Sequence, residues 1–219
     1  MNKFKLLALS LACASSLTCL QAQAQQAVKI GFVATMSGPA ASLGQDMYDG
    51  FMLGLEHSGG KLGGANVELL KEDDQLKPEL GVQIINKFLE RDKVDIVTGV
   101  TFSNVMMAMA KPLADGKAVF VGSNAGPAPL AGAQCNANFF FTSWQNDMQS
   151  EAVGKYATDK GYKNVFFMAP NYQAGKDSVW KSQLTQVSEE TPEYHTCEQR
   201  APEWWPYRLR FVLRCRKSS

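Results

Sequence analysis

The stretch VKIGFVA, residues 28–34, is a short apolar run that leads into a loop of glycine, proline and serine residues. After this loop, residues 45–57 carry apolar side chains at helical spacing, and glycines between positions 59 and 64 end the helix. A buried strand, a loop and an amphipathic helix in this order are typical of an α/β protein.

The same alternation of strands and helices continues to residue 179. Strands are predicted over residues 65–70, 94–100, 118–122, 138–144 and 165–169. Helices are predicted to start at Pro78, to run from a cap at Ser103 or Asn104 towards Lys111, and to span 147–160. Because parallel neighbours need long crossovers, this order predicts a Rossmann-like parallel sheet with helices on both faces. Ligands of such sheets bind beyond the carboxyl ends of the strands, here loops 35–45, 73–77, 101–104, 123–134 and 170–176.

The overall composition excludes several classes of protein. The 219 residues include 22 basic and 21 acidic side chains, which leaves a formal net charge of +1. This balance gives no basic field for nucleic acid and no acidic field for a cationic partner. The five cysteines are too few and too scattered for a disulfide scaffold or a zinc ribbon. The length allows one large domain or two small ones.

The N-terminus has the pattern of an export signal. Lys3 and Lys5 precede an uncharged apolar run, residues 6–20, and the small-x-small sequence Ala22-Gln23-Ala24 follows. An uncleaved membrane anchor is the alternative, but this core is shorter than the roughly 20 residues that cross a bilayer. We expect residues 1–24 to be a cleaved signal peptide and the remaining chain to be exported to the periplasm.

The composition changes near residue 180. Residues 180–219 contain five of the six arginines and three of the four tryptophans, but none of the 18 glycines. One interpretation is a stand-alone exported α/β module that self-associates or binds a partner through this tail, with Trp204, Trp205, Tyr207 and Arg208 as anchors. The interpretation we favour is sequence read in a shifted frame and not selected to fold here.

Motifs for catalysis and cofactor binding are missing from the sequence. No G-x-G-x-x-G follows the first strand, and no G-K-[ST] marks a phosphate loop. His57 lies in a predicted helix and His195 in the tail, so neither pairs with a nucleophile or has metal ligands at the right spacing. We interpret the acidic pair Asp73-Asp74 as the solvent-exposed end of a strand. No enzyme activity, cofactor or metal site is therefore expected.

Four loop motifs carry a family resemblance. They are MSGPAASLG at 36–44, NAGP at 124–127, TSWQND at 142–147 and APNYQAGKD at 169–177. In this order, and on matching elements, they resemble the branched-chain amino-acid type, or type I, periplasmic solute-binding proteins of ABC transporters. The last two motifs look most like the members of that family that take aromatic carboxylic acids. The resemblance covers residues 27–179.

The resemblance implies a two-lobed clamp that closes around a small organic anion or amino acid and then docks on permease subunits in the inner membrane. It implies a first lobe over residues 27–145 and the start of a second lobe over 146–179. The second lobe is then incomplete, which implies a truncated copy with impaired function. Neither a nucleic acid nor a metal is an expected partner.

The resemblance also implies ligand residues at seven positions. Ser103, Asn124 and Ala125 would hold the carboxylate, Tyr172 would cover the ligand, Ser37 and Ser42 would line the first loop, and Phe102 would present a ring. A hydroxyl and unpaired N–H groups at a helix N-terminus suit an anion. Six of the seven also have a plainer role: Ser103 as a cap, Asn124, Ser37 and Ser42 in turns, Tyr172 on a surface loop and Phe102 in the core.

Overall fold

A computed structural model describes residues 27–162 and 168–179 of the chain. Its strands are β1 (Val28–Ala34), β2 (Lys61–Leu62), β3 (Ala65–Asp73), β4 (Ile96–Gly99), β5 (Val119–Gly122) and β6 (Phe139–Phe141). They form one sheet in the order β2-β3-β1-β4-β5-β6. All neighbours are parallel except β2 and β3, which are antiparallel. The predicted α/β architecture with a largely parallel sheet is confirmed.

A helix follows each of β1, β3, β4, β5 and β6 along the chain. These helices are α1 (Ala41–His57), α2 (Pro78–Asn86), α3 (Ser103–Gly116), α4 (Ala128–Ala131) and α5 (Asn146–Asp159). A π-helical segment, Lys87–Asp92, continues α2, and residues 173–179 are also helical. Pro78 occupies the first turn of α2, as predicted, because its missing N–H has no intrahelical partner there.

Two adjacent residues of β1 show how helices cover both faces of the sheet. Phe32 contacts Tyr48 and Phe51 of α1, with ring centroids 5.3 and 5.5 Å apart. Val33 belongs to the buried core that α2, the π-helical segment and α3 form with the sheet. Because successive strand side chains point to opposite faces, α1 lies on one face and the α2–α3 pair on the other.

The structure corrects several predicted boundaries. Helix α1 begins at Ala41, four residues before the predicted start, so the first loop is shorter and Ser42 lies in the helix. Strand β2 forms a two-residue hairpin with β3, and Gly63 and Gly64 adopt the positive φ angles, 58° and 88°, that such a tight turn requires. Helical segments at 128–131 and 173–179 lie where loops were expected.

Three predictions fall outside the described residues. They are the signal peptide at 1–24, most of the strand at 165–169, and the tail at 180–219. Residues 168 and 169, at the end of that predicted strand, have no regular secondary structure. None of the helices in the described ranges combines the length and hydrophobicity that crossing a bilayer requires.

Candidate functional site

The candidate site lies at the edge where the parallel strands end. Gly99 of β4 is opposite both Val33 of β1 and Gly122 of β5. The segments that follow these three strands therefore leave the sheet side by side, which is where open α/β sheets bind ligands. Most of the predicted ligand residues lie on these segments or at the start of the following helix.

The turn after β4 has a backbone conformation that is uncommon outside glycine. Gly99 has a φ of 105° and Val100 a φ of 64°. A positive φ is an outlier for a β-branched residue, so the surrounding structure must hold Val100 in place. Its N–H donates to the carbonyl of Val33 at 2.7 Å, and its carbonyl accepts from the N–H of Ala125 at 3.1 Å. This turn determines where Thr101, Phe102 and Ser103 leave the sheet.

Ser103 is the first residue of α3 and is buried, with 3% of its surface exposed. Phe102 holds the N-cap position, without a side-chain capping bond. The prediction that Ser103 or Asn104 caps this helix is therefore wrong by one or two positions. The Ser103 hydroxyl oxygen instead accepts from Nδ2 of Asn146 at 3.0 Å. It lies beside the first-turn N–H groups of a 14-residue helix, an arrangement that favours a negatively charged group.

Asn124 and Ala125 follow β5, and their N–H donors bond to carbonyl groups of the chain. Asn124 Nδ2 donates to the carbonyl of Thr101 at 2.7 Å, and the Ala125 N–H donates to the carbonyl of Val100. The carbonyl of Asn124 accepts from the Ser143 hydroxyl at 2.9 Å. These bonds tie the loops after β4, β5 and β6 together. The direct contact of both residues with a ligand carboxylate stays a prediction.

Phe102 and Tyr172 form an aromatic pair beside Ser103. Both side chains are half-buried, and their ring centroids lie 6.2 Å apart with a 67° angle between the planes. Phe102 also packs against the core, so its plainer role and its predicted role coexist. The pair gives the site an apolar surface next to a polar helix start.

Ser37 and Ser42 are both exposed. Ser37 lies beside the side chain of Asp73 and lowers the pKa of that carboxyl, and Ser42 lies in the first turn of α1. Within residues 27–162 and 168–179, no hydrogen bond or ring contact joins either serine to the other five predicted ligand residues. Their ligand role stays a prediction. A shallow depression of about 570 Å³ lies further along α1, lined by Asp49, Met52, Leu53, Leu55, Glu56 and Gly60, and contains none of the seven.

A buried polar cluster at the same edge was not predicted from the sequence. The Thr35 N–H donates to Thr101 Oγ1 at 3.0 Å, and the Thr35 hydroxyl donates to Asp74 Oδ1 at 2.5 Å. The amide of Leu76 also donates to Asp74 Oδ1, at 2.8 Å. The expectation that Asp73-Asp74 ends a strand in solvent is wrong for Asp74, which is fully buried. The sequence did contain one signal for this cluster, because Thr35 and Asp74 each come directly after one of two adjacent parallel strands.

The pKa values of Asp73 and Asp74 are shifted in opposite directions. Burial raises the pKa of the Asp74 carboxyl above its ordinary value of 3.8, and the neighbouring charge of Asp73 adds to this, although bonds from Thr35 and Leu76 oppose it. For Asp73, burial acts in the same direction but is outweighed. Hydrogen bonds from the amide of Met36, from Ser37 and from the amide of Gln75 lower the Asp73 pKa.

A second polar cluster joins the segment 173–177 to the strand ends. Asp177, only 8% exposed, accepts from the N–H of Ala128 at 3.1 Å, from Nδ2 of Asn146 at 3.0 Å and from Nε2 of Gln173 at 2.7 Å. Asn146 and Asp177 each lie within one of the four quoted loop motifs, but their pairing across 31 positions cannot be read from spacing. The side chains of Asn146, Gln173 and Asp177 were all missed as site residues by the sequence-based prediction.

The arrangement suits a small anion with an apolar body. A buried hydroxyl and a helix N-terminus favour a carboxylate, and two rings offer an apolar contact beside it. In the described part of the chain, no group of three or more His, Cys, Asp or Glu residues could hold a metal ion.

Comparison with known proteins places these features in a family. Residues 27–188 match the model of the family described as Periplasmic binding protein. The Leu/Ile/Val-binding protein homolog 6 of Brucella abortus is 27% identical over 170 residues, which cover 76% of this chain and 43% of that protein. This chain thus spans less than half the length of that relative.

Solved structures give the same result. A solute-binding protein of an ABC transporter from R. palustris, in complex with benzoate, has 30% identity and a TM-score of 0.69. The match covers 74% of this chain and 45% of that one. A second R. palustris solute-binding protein, in complex with 4-hydroxybenzoate, has 26% identity, a TM-score of 0.67 and coverage of 74% and 44%. Since the family match covers most of its residues, the chain belongs to the periplasmic binding protein family.

Proposed function

We propose that the chain is the solute-binding component of an ABC-type uptake system in the periplasm. Its solute is a small carboxylate, either a branched-chain amino acid or a benzoate-like aromatic acid. The relatives support both classes, since one is named for leucine, isoleucine and valine and others were solved with benzoate or 4-hydroxybenzoate. Uptake then proceeds by closure around the solute and docking on permease subunits, without a covalent step.

One observation carries the proposal. Ser103 is buried at the N-terminus of α3, beside the Phe102–Tyr172 ring pair and at the carboxyl edge of the parallel strands. The carboxylate of the solute would bind at the hydroxyl and the helix start, and its side chain or ring would lie against the aromatic pair. Ser37, Ser42, Asn124 and Ala125 complete the proposed ligand-binding set.

The test is a titration of the 219-residue chain, followed by NMR, with benzoate, 4-hydroxybenzoate, leucine and isoleucine. At least one should give saturable shifts at residues 102, 103 and 172. Ser103→Ala should weaken that ligand about tenfold or more, because a hydrogen bond to a charged group contributes roughly 1.5–3 kcal/mol.

Ser58→Ala is the matched control, since among the described residues the Ser58 hydroxyl bonds only to its own helix, at the carbonyl of Leu55. Its affinity should equal that of the wild type. The absence of saturable shifts with all four compounds would contradict the proposal, and so would equal affinities for Ser103→Ala and the wild type.

A further inference from the structure

The side-chain amide of Asn146 makes two hydrogen bonds with one nitrogen. Nδ2 lies 3.0 Å from the Ser103 hydroxyl oxygen and 3.0 Å from Oδ2 of Asp177. An asparagine amide carries two hydrogens on this nitrogen, and these two contacts use both of them. The geometry therefore joins Ser103 to Asp177 through a single group.

Asp177 determines which way this amide faces. Its Oδ2 also accepts the backbone N–H of Ala128 at 3.1 Å, and a backbone N–H can only donate. An ionised carboxylate carries no hydrogen and can only accept, so the atom of Asn146 that faces Asp177 Oδ2 is the amide nitrogen and not the carbonyl oxygen. Gln173 binds the other carboxylate oxygen at 2.7 Å, which holds the carboxylate in this orientation.

This orientation has a consequence for Ser103. A serine hydroxyl has one hydrogen to donate and two positions that accept. Because Asn146 donates to it, the hydroxyl hydrogen points away from Asn146 and remains a donor for another group. A donor at the N-terminus of α3 prefers a ligand atom that only accepts, such as a carboxylate oxygen.

We propose that Asn146 and Asp177 are positioning residues that keep the Ser103 hydroxyl as a hydrogen-bond donor and so select a carboxylate over a neutral amide. The inference rests on the proposed function, since it concerns the same ligand. It extends that function to two side chains that are joined to the site through Ser103.

Asp177→Asn distinguishes the positioning role from a simple charge effect, because the two predict opposite changes in benzoate affinity. Removing a negative charge near an anion site should strengthen benzoate binding if only charge matters. If Asp177 acts by orienting Asn146, the amide becomes free to turn, and benzoate binding should weaken by roughly three- to tenfold. Benzamide, which both donates and accepts, should change much less.

The measurement is an NMR titration of the full chain with benzoate and with benzamide. The control is Asp159→Asn, the same chemical change at an exposed residue that pairs with Lys155 on α5. Asn146→Ala is a second variant, used if Asp177→Asn does not fold, and it should also lower the ratio of benzoate to benzamide affinity. Equal or tighter benzoate binding by these variants would overturn the inference, as would an equal loss for both ligands.

A ligand-free measurement separates this inference from the proposed function. The Asn146 side-chain amide hydrogens should exchange slowly with solvent in the wild type and in Asp159→Asn, and faster in Asp177→Asn. If the wild type binds no carboxylate, the proposed function fails. The exchange rate of the Asn146 amide hydrogens then still tests whether Asp177 orients Asn146. Equally fast exchange in the wild type and in Asp177→Asn would overturn the positioning role.

Discussion

Thr35 makes two bonds that hold three chain segments together. Its N–H reaches the hydroxyl of Thr101 after β4, and its own hydroxyl reaches Asp74 after β3. Thr35 and Asp74 are completely buried, and Thr101 is nearly so. Buried polar groups are tolerated when they are hydrogen-bonded, so these bonds stabilise the strand ends, whereas Oδ2 of Asp74 is buried without a partner among the described residues.

The burial of Asp74 makes its charge costly. Because its folded-state pKa is raised above 3.8, the folded chain keeps a proton at pH values where the unfolded chain has lost it. The stability that this proton supplies is fully present below about pH 4 and is lost as the pH rises through the folded-state pKa.

We expect Asp74→Asn to remove this loss. An amide at position 74 keeps an oxygen for Thr35 and Leu76 and carries no charge. Relative to the wild type, the free energy of unfolding should rise between pH 4 and pH 7, by about 1.4 kcal/mol for each unit by which the pKa is raised. Urea unfolding at several pH values measures this difference.

Asp73→Asn is the matched control, with the opposite sign. Hydrogen bonds lower the Asp73 pKa, so its stabilising effect is present above about pH 4 and is lost as the pH falls through the folded-state pKa. Relative to the wild type, Asp73→Asn should lower the free energy of unfolding at neutral pH, and this loss should shrink as the pH falls below about 4. A difference between Asp74→Asn and the wild type that stays constant from pH 4 to pH 7 would show that the buried carboxyl does not titrate as argued.

Helix α1 illustrates close packing between an element and a loop. Gly44 is its only buried residue among those described, and a Cβ at this position would collide with the backbone carbonyl of Thr35. Gly50, six residues later, is exposed and has open space around its Cα. The same residue type therefore has a packing role at one position and none at the other.

We expect Gly44→Ala to destabilise the chain by about 2 kcal/mol or more, because α1 must move away from the loop after β1. Gly50→Ala should instead stabilise it by roughly 0.5–1 kcal/mol, since alanine is the better helix former and meets nothing. Urea midpoints of both variants against the wild type provide the measurement. Similar gains for both substitutions would contradict the close contact at Gly44.

Elements with apolar runs were predicted well, and elements without a local signal were not. Strand β1 matches its prediction residue for residue, because VKIGFVA is a continuous apolar run. Helix α1 starts earlier than predicted because its N-cap, Ala40, has no capping side chain to mark it. Strand β2 has only two residues, both exposed, and depends on pairing with β3.

The candidate site was predicted less completely than the fold. Its edge follows from strand order, and its loops could be named in advance. The contacts could not, because Thr35 and Thr101 lie 66 positions apart and Ser103 and Asn146 lie 43 apart. Only the folded sheet brings such residues together, and no local periodicity encodes their hydrogen bonds.

Among the described residues, the candidate site has one well-defined wall. The chain spans 43–45% of the length of the relatives described above. A good small-molecule site buries about 70–90% of its ligand, which requires surfaces on opposite sides. The described residues supply the strand-end loops and, opposite Phe102, the short segment that carries Tyr172.

We therefore expect the 219-residue chain to bind benzoate and leucine weakly. A Kd of about 1 mM or higher corresponds to a binding free energy of about −4 kcal/mol or weaker. Calorimetry, with size-exclusion chromatography to establish that the protein is monomeric, measures this value. Micromolar affinity in a monomer, near −8 kcal/mol, would show that one wall is enough.

The bonds made by Thr35 also bear on the thermodynamics of capture. Thr35, Asn124 and Val100 hydrogen-bond the loops after β1, β3, β4 and β5 to one another. A solute bound at the proposed site would meet these loops already ordered, which lowers the conformational entropy lost on binding. The entropic cost of binding then falls on whatever covers the solute from the other side. Variation in that cover can change affinity and leave the strand-end loops unaltered.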